Sequence, residues 1–355
     1  MKKIIINFLK FLLFLSVGLV ILYFVYQKQS AAYQASCAER GIPTEECSLI
    51  GKVINDFASA NYFWILMVLL AFTLSNLSRA IRWNMLLRPL GYQPRLSNAF
   101  LTVILGYFAN LGLPRLGEVV RAGTMARYEH IPMQKVVGTI VVDRTIDVIS
   151  ILIVSGLAVL LEYDTMWQFI NEYVNLSEKF GGGTLILALG GFGTLVVAGL
   201  YLLRERIQKM AWFQKIEEIL LGFWQGIKSI AQLERPWLFV LHSINIWLMY
   251  FFMTYLCFFA FQPTAHLSPL VGLVVFVFGG WGIVIPSPGG MGTYHFLVQT
   301  ALGMYGISGE DSFSFANIAF FSIQLGCNVL IGLLALLLLP WLNKDYKGAE
   351  KVAVA

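Results

Sequence analysis

Charge is what this sequence has least of. Of 355 residues only 13% are Asp, Glu, Lys or Arg, against ~25% in an ordinary soluble domain. With 58% hydrophobic residues and a mean hydropathy of +0.72, the chain carries more apolar surface than one globular core can hide. Much of it must face lipid, which excludes a soluble enzyme. Histidine is scarce, at four, and no His/Cys group has metal-ligand spacing, so neither metal nor cofactor is expected. Nucleophile elbow, P-loop and dinucleotide fingerprint are all missing. Gly181-Gly182-Gly183 reads as a linker before an apolar run. The net charge of +5 does not call for nucleic acid, because the basic residues stand at the ends of apolar runs, where membrane topology uses them. Cysteine is also sparse. Cys257 and Cys327 lie within apolar runs and read as packing residues. Cys37 and Cys47 lie in a polar stretch and would pair if it faces an oxidising compartment.

What the sequence does have is long apolar runs. A span takes ~20 apolar residues, and 7–26, 61–81, 136–161, 184–203, 237–261 and 314–341 qualify. The first follows Lys2, Lys3 and Lys10, is long for a secretory leader, and has no small-residue cleavage site close behind it. It reads as an uncleaved span. Two more apolar stretches, 97–130 and 268–306, are broken in the middle. The breaks are Leu113-Pro114-Arg115-Leu116-Gly117-Glu118 and Ile285-Pro286-Ser287-Pro288-Gly289-Gly290-Met291-Gly292. Each half is short for a span, so both stretches read as hairpins that enter and leave by one face. The expected fold is an all-α polytopic membrane protein with about six full transmembrane helices plus two opposed re-entrant helical hairpins, arranged as an inverted repeat. Residues 1–60 would hold the first span and an external loop, 61–342 the transmembrane domain, and 343–355 a cytoplasmic tail. Within the domain, 204–236 reads as an amphipathic helix on the inner leaflet, with Trp212, Phe213, Phe223 and Trp224 for the interface.

The charges assign sides. Lys2, Lys3 and Lys10, then Arg79, Arg82, Arg88 and Arg95, then Arg121, Arg127 and Lys135 all fall inside under this topology. The loop with Glu162, Asp164, Glu172 and Glu178 falls outside, and the loop with Arg204, Arg206, Lys209 and Lys215 inside. Lys344, Lys347 and Lys351 bring the C-terminus inside with the N-terminus. Full pairs of spans in place of the hairpins would leave this parity unchanged; the short halves and the Pro/Gly breaks are what favour re-entry. Two hairpins entering from opposite sides are the mark of an inverted-repeat transporter, with a site where the broken segments meet.

Irregular backbone at membrane depth is tolerated only against protein or water, so both breaks should line a cavity. A helix restarts after each, near Gly117 and Gly290, and helix N-termini suit a phosphate. Candidate substrate-binding residues are Arg115, Glu118 and Arg121, roughly one helix face, with Pro286, Ser287, Gly289, Gly290 and Gly292 at the second break. The alternative is that Pro and Gly only shape turns and the arginines snorkel to the interface. Asp143, Arg144 and Asp147 fall inside the 136–161 span, where ionisable residues are a functional hypothesis by default. Asp143 and Asp147 share a face and need a cation; Arg79, Arg82 or Arg121 would supply it. Equally, the cluster would serve only to hold the first hairpin to its neighbours. His295 would titrate near neutrality or merely pack. His242 with Asn245, and Gln324 with Asn328, suit interhelical hydrogen bonds. Tyr26, Trp64, Trp83, Trp237 and Trp341 suit the interface.

Four ordered elements resemble a known family. They are Ser78-Arg79-Ala80-Ile81-Arg82-Trp83, the run Gly106-Tyr107-Phe108-Ala109-Asn110-Leu111-Gly112-Leu113-Pro114-Arg115-Leu116-Gly117-Glu118-Val119-Val120-Arg121, Val142-Asp143-Arg144-Thr145-Ile146-Asp147, and Pro286-Ser287-Pro288-Gly289-Gly290-Met291-Gly292. Together they are similar to the motifs of the lysylphosphatidylglycerol synthase transmembrane family, or flippase-like domain proteins, across about residues 55–342. Asp143 stands where many relatives carry Glu. The resemblance implies movement of a lipid between leaflets of a bacterial inner membrane: an anionic or aminoacylated (glyco)phospholipid, or a polyprenyl-phosphate lipid. In two-part relatives a soluble acyltransferase-like domain makes the lipid; this chain ends at Ala355 without one, so a separate lipid synthase is an expected partner. The rivals are a non-transporting partner of such a synthase, and an intramembrane enzyme using Asp143, Asp147 and His295 as acid and base.

Overall fold

The computed structural model describes residues 2–39, 43, 47–112, 116–174, 233–285 and 290–351. The predicted span 184–203, the 204–236 helix up to residue 232, and Arg115, Pro286, Ser287 and Gly289 of the candidate set lie outside them.

The chain is an all-α polytopic membrane protein. Helix α1 (Lys2–Glu39) carries the predicted first span, α2 (Leu49–Ser59) follows, and α3 (Tyr62–Leu87) is the second span. α4 (Leu96–Gly112) and α5 (Leu116–Glu129) form the first broken stretch, α6 (Met133–Leu161) the next span, and α7 (Tyr163–Val174) a short helix after it. α8 (Pro236–Ala260) is a span, α9 (Pro269–Val284) and α10 (Thr293–Gly303) the second broken stretch. α11 (Gly309–Phe320) and α12 (Asn328–Leu342) are joined by a π-helical turn over Phe321–Cys327. Four helical stretches among the described residues are long and apolar enough to cross a membrane: 62–90, 133–161, 236–260 and 309–342. Asn61 caps α3 by accepting from the Phe63 amide, and Ser268 caps α9, where Pro269 occupies the first helical position.

The core of this arrangement is an antiparallel pair, α3 and α8. The Asn61 amide donates to the Ala260 carbonyl at 2.9 Å, while at the other end Arg82 reaches Ser243. Between them Asn245 donates to Ser78 Oγ at 2.7 Å, one of the interhelical bonds the sequence suggested. The first hairpin follows the C-terminal end of α3 and the second follows the C-terminal end of α8. Because the pair is antiparallel, the hairpins start from opposite ends. Each folds back: Glu129 at the end of α5 accepts from Asn98 and the Arg95 amide at the start of α4, and Thr293 at the start of α10 donates to the Gly282 carbonyl near the end of α9 at 2.6 Å. The longest of the four helices, α4, has 17 residues, about 26 Å at ~1.5 Å per residue and short of a ~30 Å hydrocarbon core. Long helix, hairpin, long helix therefore occurs twice in opposite senses.

Three features depart from the sequence reading. The stretch after residue 26 is helical to Glu39, because Gln27–Glu39 contains neither Gly nor Pro and is rich in helix formers. Residues 343–351 pack on the base of the first hairpin: Tyr346 donates to Glu129 Oε2 at 2.8 Å, and Tyr92–Gln93 pairs antiparallel with Glu350–Lys351. Trp83, expected at the interface, is fully buried and donates from Nε1 to Thr139 Oγ1 at 2.9 Å. Its place on the polar face of α3 turns it inward.

Candidate functional site

The polar residues of α3 lie at helical spacing. Ser75, Ser78, Arg79 and Arg82 share one face, and all are buried. On α6, Asp143 and Asp147 are one turn apart and face them. Asp143 has no exposed surface. Its Oδ1 accepts from Arg82 Nε at 3.0 Å and Nη2 at 2.6 Å; its Oδ2 accepts from Arg79 Nη1 at 3.2 Å and Arg121 Nη1 at 2.9 Å. Asp147 accepts from Arg82 Nη2 and Arg79 Nη1, each at 2.7 Å, and from Arg144 at 3.4 Å. Arg144 also stands 3.1 Å from Glu118 of α5. An unpaired charge in this environment would be very costly, and close pairing is what makes so many tolerable. The two aspartates thus tie α3, α5 and α6 into one block. The block holds four guanidiniums against three carboxylates, so one positive charge has no protein counterion within it.

The block forms one end of a cavity of about 520 Å³. Arg79, Arg144, Asp147 and Glu118 reach its wall, with Tyr107 and Asn110 from the tip of the first hairpin. Gly279, Ile283, Gly290 and Tyr294 come from the second hairpin, and Gln324 and Asn328 from the π-helical turn and the start of α12. The Arg79 guanidinium donates to Tyr250 Oη at 3.2 Å, and the hydroxyls of Tyr250 and Tyr107 are 3.0 Å apart. Both broken stretches therefore meet at one cavity, as their opposed sequence breaks suggested.

The tips owe their shape to glycine. Gly117 donates its amide to Asn110 Oδ1 at 2.7 Å, and any Cβ there would collide with the Gly106 carbonyl. Gly290 and Gly292 both have φ of +83°, a conformation other residues adopt only with strain. They turn the chain from α9 into α10.

The candidate residues do not all reach this cavity. Glu118 and Gly290 line the cavity. Arg121 does not: its guanidinium is buried, paired with Asp143 and stacked 3.9 Å above the Trp83 ring. Arg144, read from sequence only as part of the charge cluster, is the arginine that stands at the cavity with Arg79. His295 is buried against Phe320, ring centres 4.7 Å apart, away from the cavity wall and from both aspartates. Asn328, at the start of α12, donates to the Ile323 and Gln324 carbonyls of the π-helical turn just before it. His242 lines a smaller cavity of about 420 Å³ with Arg88 and Arg235, at the end where α3 stops and α8 starts. Cys37 and Cys47 form a disulfide. No group of three or more His, Cys, Asp or Glu positioned for a metal occurs among the described residues.

Sequence reasoning missed Tyr107, Tyr250 and Trp247 as cavity residues. Tyr250 and Trp247 signalled only as aromatics in a span, which ordinary packing also produces, and Tyr107 only as one member of the Gly106–Arg121 motif.

A family model described as the lysylphosphatidylglycerol synthase TM region matches residues 48–332. The UPF0104 membrane protein MJ1595 of Methanocaldococcus jannaschii is 22% identical over 269 residues, covering 69% of this chain and 75% of that protein. No solved structure matches the chain.

Proposed function

Since the chain belongs to the lysylphosphatidylglycerol synthase transmembrane family, we propose that it is a lipid flippase of the cytoplasmic membrane and not an enzyme. Its substrate is an anionic or aminoacylated phospholipid, or a polyprenyl-phosphate lipid. The observation that carries this reading is the unbalanced charge block at the cavity between the two hairpins. A lipid phosphate would supply the missing counterion, held by Arg144 and Arg79. Glu118 keeps Arg144 paired when no substrate is bound. Rocking of one repeat half against the other would open the cavity to each leaflet in turn. N- and C-termini on the cytoplasmic side follow from the charge map, and a separate synthase would make the lipid. The acid–base alternative gains no support, because His295 lies away from Asp143 and Asp147.

The test is transfer of fluorescent anionic phospholipid in proteoliposomes. Arg144→Gln should slow transfer by about tenfold, the loss of ~1.4 kcal/mol from one charge-assisted contact, with the melting temperature in detergent little changed. Wild-type transfer by that variant would remove Arg144 from the site.

A further inference from the structure

The cavity has two unlike walls. One is charged, with Arg79, Arg144, Asp147 and Glu118. The other is apolar and is built by α6 and α9, through Val148, Ile151 and Val154 on one side and Gly280, Ile283 and Val284 on the other. Among the described residues this second wall does not close. At its rim Val148 is 52% exposed and Val284 60% exposed. Small contacts span the gap between α6 and α9: Trp281 Nε1 donates to Ser155 Oγ at 3.1 Å, and Ile151 Cδ1 stands across from Gly280, 3.6 Å from where a Cβ would lie. A free phosphate or a sugar phosphate gains nothing from an apolar wall that runs out into the bilayer. An amphiphile gains at both ends.

We infer that the gap between α6 and α9 is a lateral portal that holds the acyl or prenyl chain of the substrate. The chain stays in the bilayer while the phosphate rests against Arg79 and Arg144. The portal rests on the lipid reading of the cavity. It adds that the substrate never leaves lipid completely, and that its tail, not only its headgroup, is recognised. Apolar chain surface is thereby spared exposure to water during transfer.

The experiment uses the full chain in phosphatidylcholine vesicles containing phosphatidylglycerol with a dye on one acyl chain. Binding of soluble glycerol 3-phosphate is measured in parallel by calorimetry. Gly280→Phe fills the gap from α9. Val284→Trp narrows it from an exposed position where folding is not at stake. Leu337→Trp, on a 72% exposed face of α12, controls for bulk at the lipid surface. Both portal variants should slow lipid transfer by about tenfold or more, through the steric clash introduced, and keep glycerol 3-phosphate binding within about twofold, while Leu337→Trp does neither. Wild-type transfer rates in both portal variants overturn the portal. So does joint loss of transfer and of glycerol 3-phosphate binding, which would mean that the plugs had damaged the headgroup site. A wild-type protein that binds glycerol 3-phosphate but transfers no lipid overturns the lipid reading itself, and does so before any variant is made.

Discussion

Asp143 is the residue on which most depends. It accepts from three arginines with no surface exposed. Asp143→Asn keeps the shape but leaves those guanidiniums under-paired, so it should lower unfolding stability in detergent by about 3–5 kcal/mol, the usual loss when one partner of a buried pair is removed. A melting curve like that of the wild type would mean that water reaches the block. Arg121→Ala should behave similarly, because its stacking on Trp83 and pairing with Asp143 make it a brace for α5. That Asp143 and Asp147 need arginine partners was legible from their positions within an apolar run. Which arginine faces the cavity was not: Arg121 and Arg144 have the same chemistry, and only the rotation of α5 and α6 about their axes separates them.

At the scale of elements, the hairpins were legible because Pro and Gly interrupt runs too short to span. Their boundaries in the structure fall within three residues of the expected ones, since caps such as Ser268-Pro269 mark them. The π-helical turn at Phe321–Cys327 was not legible, because nothing in Phe-Ser-Ile-Gln-Leu-Gly-Cys breaks the helical pattern. Such turns occur often at functional sites, and this one carries Ile323 and Gln324 to the cavity. The tip of the first hairpin gives the sharpest test. Gly117→Ala forces α4 and α5 apart at the Gly106 carbonyl and should cost about 1–3 kcal/mol, as overpacking commonly does, visible as a lower melting temperature. Asn110→Ala removes the cap on the Gly117 amide without a clash and should cost less, about 1 kcal/mol.

At the scale of the molecule, the repeat is symmetric in its elements and asymmetric in its chemistry, for the charge block belongs to the first half alone. The second half has its own fastening, between α2 and α11. Lys52 of α2 donates to Asp56 and to Asp311 of α11, each at 2.7 Å, and Ser314 also donates to Asp56. Burial alone would lower the Lys52 ammonium pKa, but Asp311 and Asp56 more than offset it and hold it above the ordinary lysine value. Its contribution is therefore present below the unfolded-state lysine pKa and fades only as pH rises through the higher folded value, so melting temperature should hold through neutral pH and fall in strong alkali. The disulfide at Cys37–Cys47 gives a test of sidedness. In intact cells a membrane-impermeant maleimide should label these cysteines only after treatment with a membrane-impermeant reductant; no labelling even after that treatment would place them on the cytosolic side. The charge map predicts that this stretch lies outside, but its packing onto α11 depends on contacts about 260 residues apart in sequence, as in Lys52 with Asp311, and no local pattern encodes them.

The Arg–Asp block also has a consequence for biogenesis. Arg79 and Arg82 emerge from the ribosome more than sixty residues before Asp143. Until α6 is made, α3 must enter the bilayer with two unpaired guanidiniums, each costing up to roughly 3 kcal/mol on insertion scales. α3 is therefore a poor substrate for insertion by itself and a good one in the company of α6. The first half should be handed to the membrane as a single parcel, and a chain truncated before residue 143 should be one that the cell's membrane quality control removes.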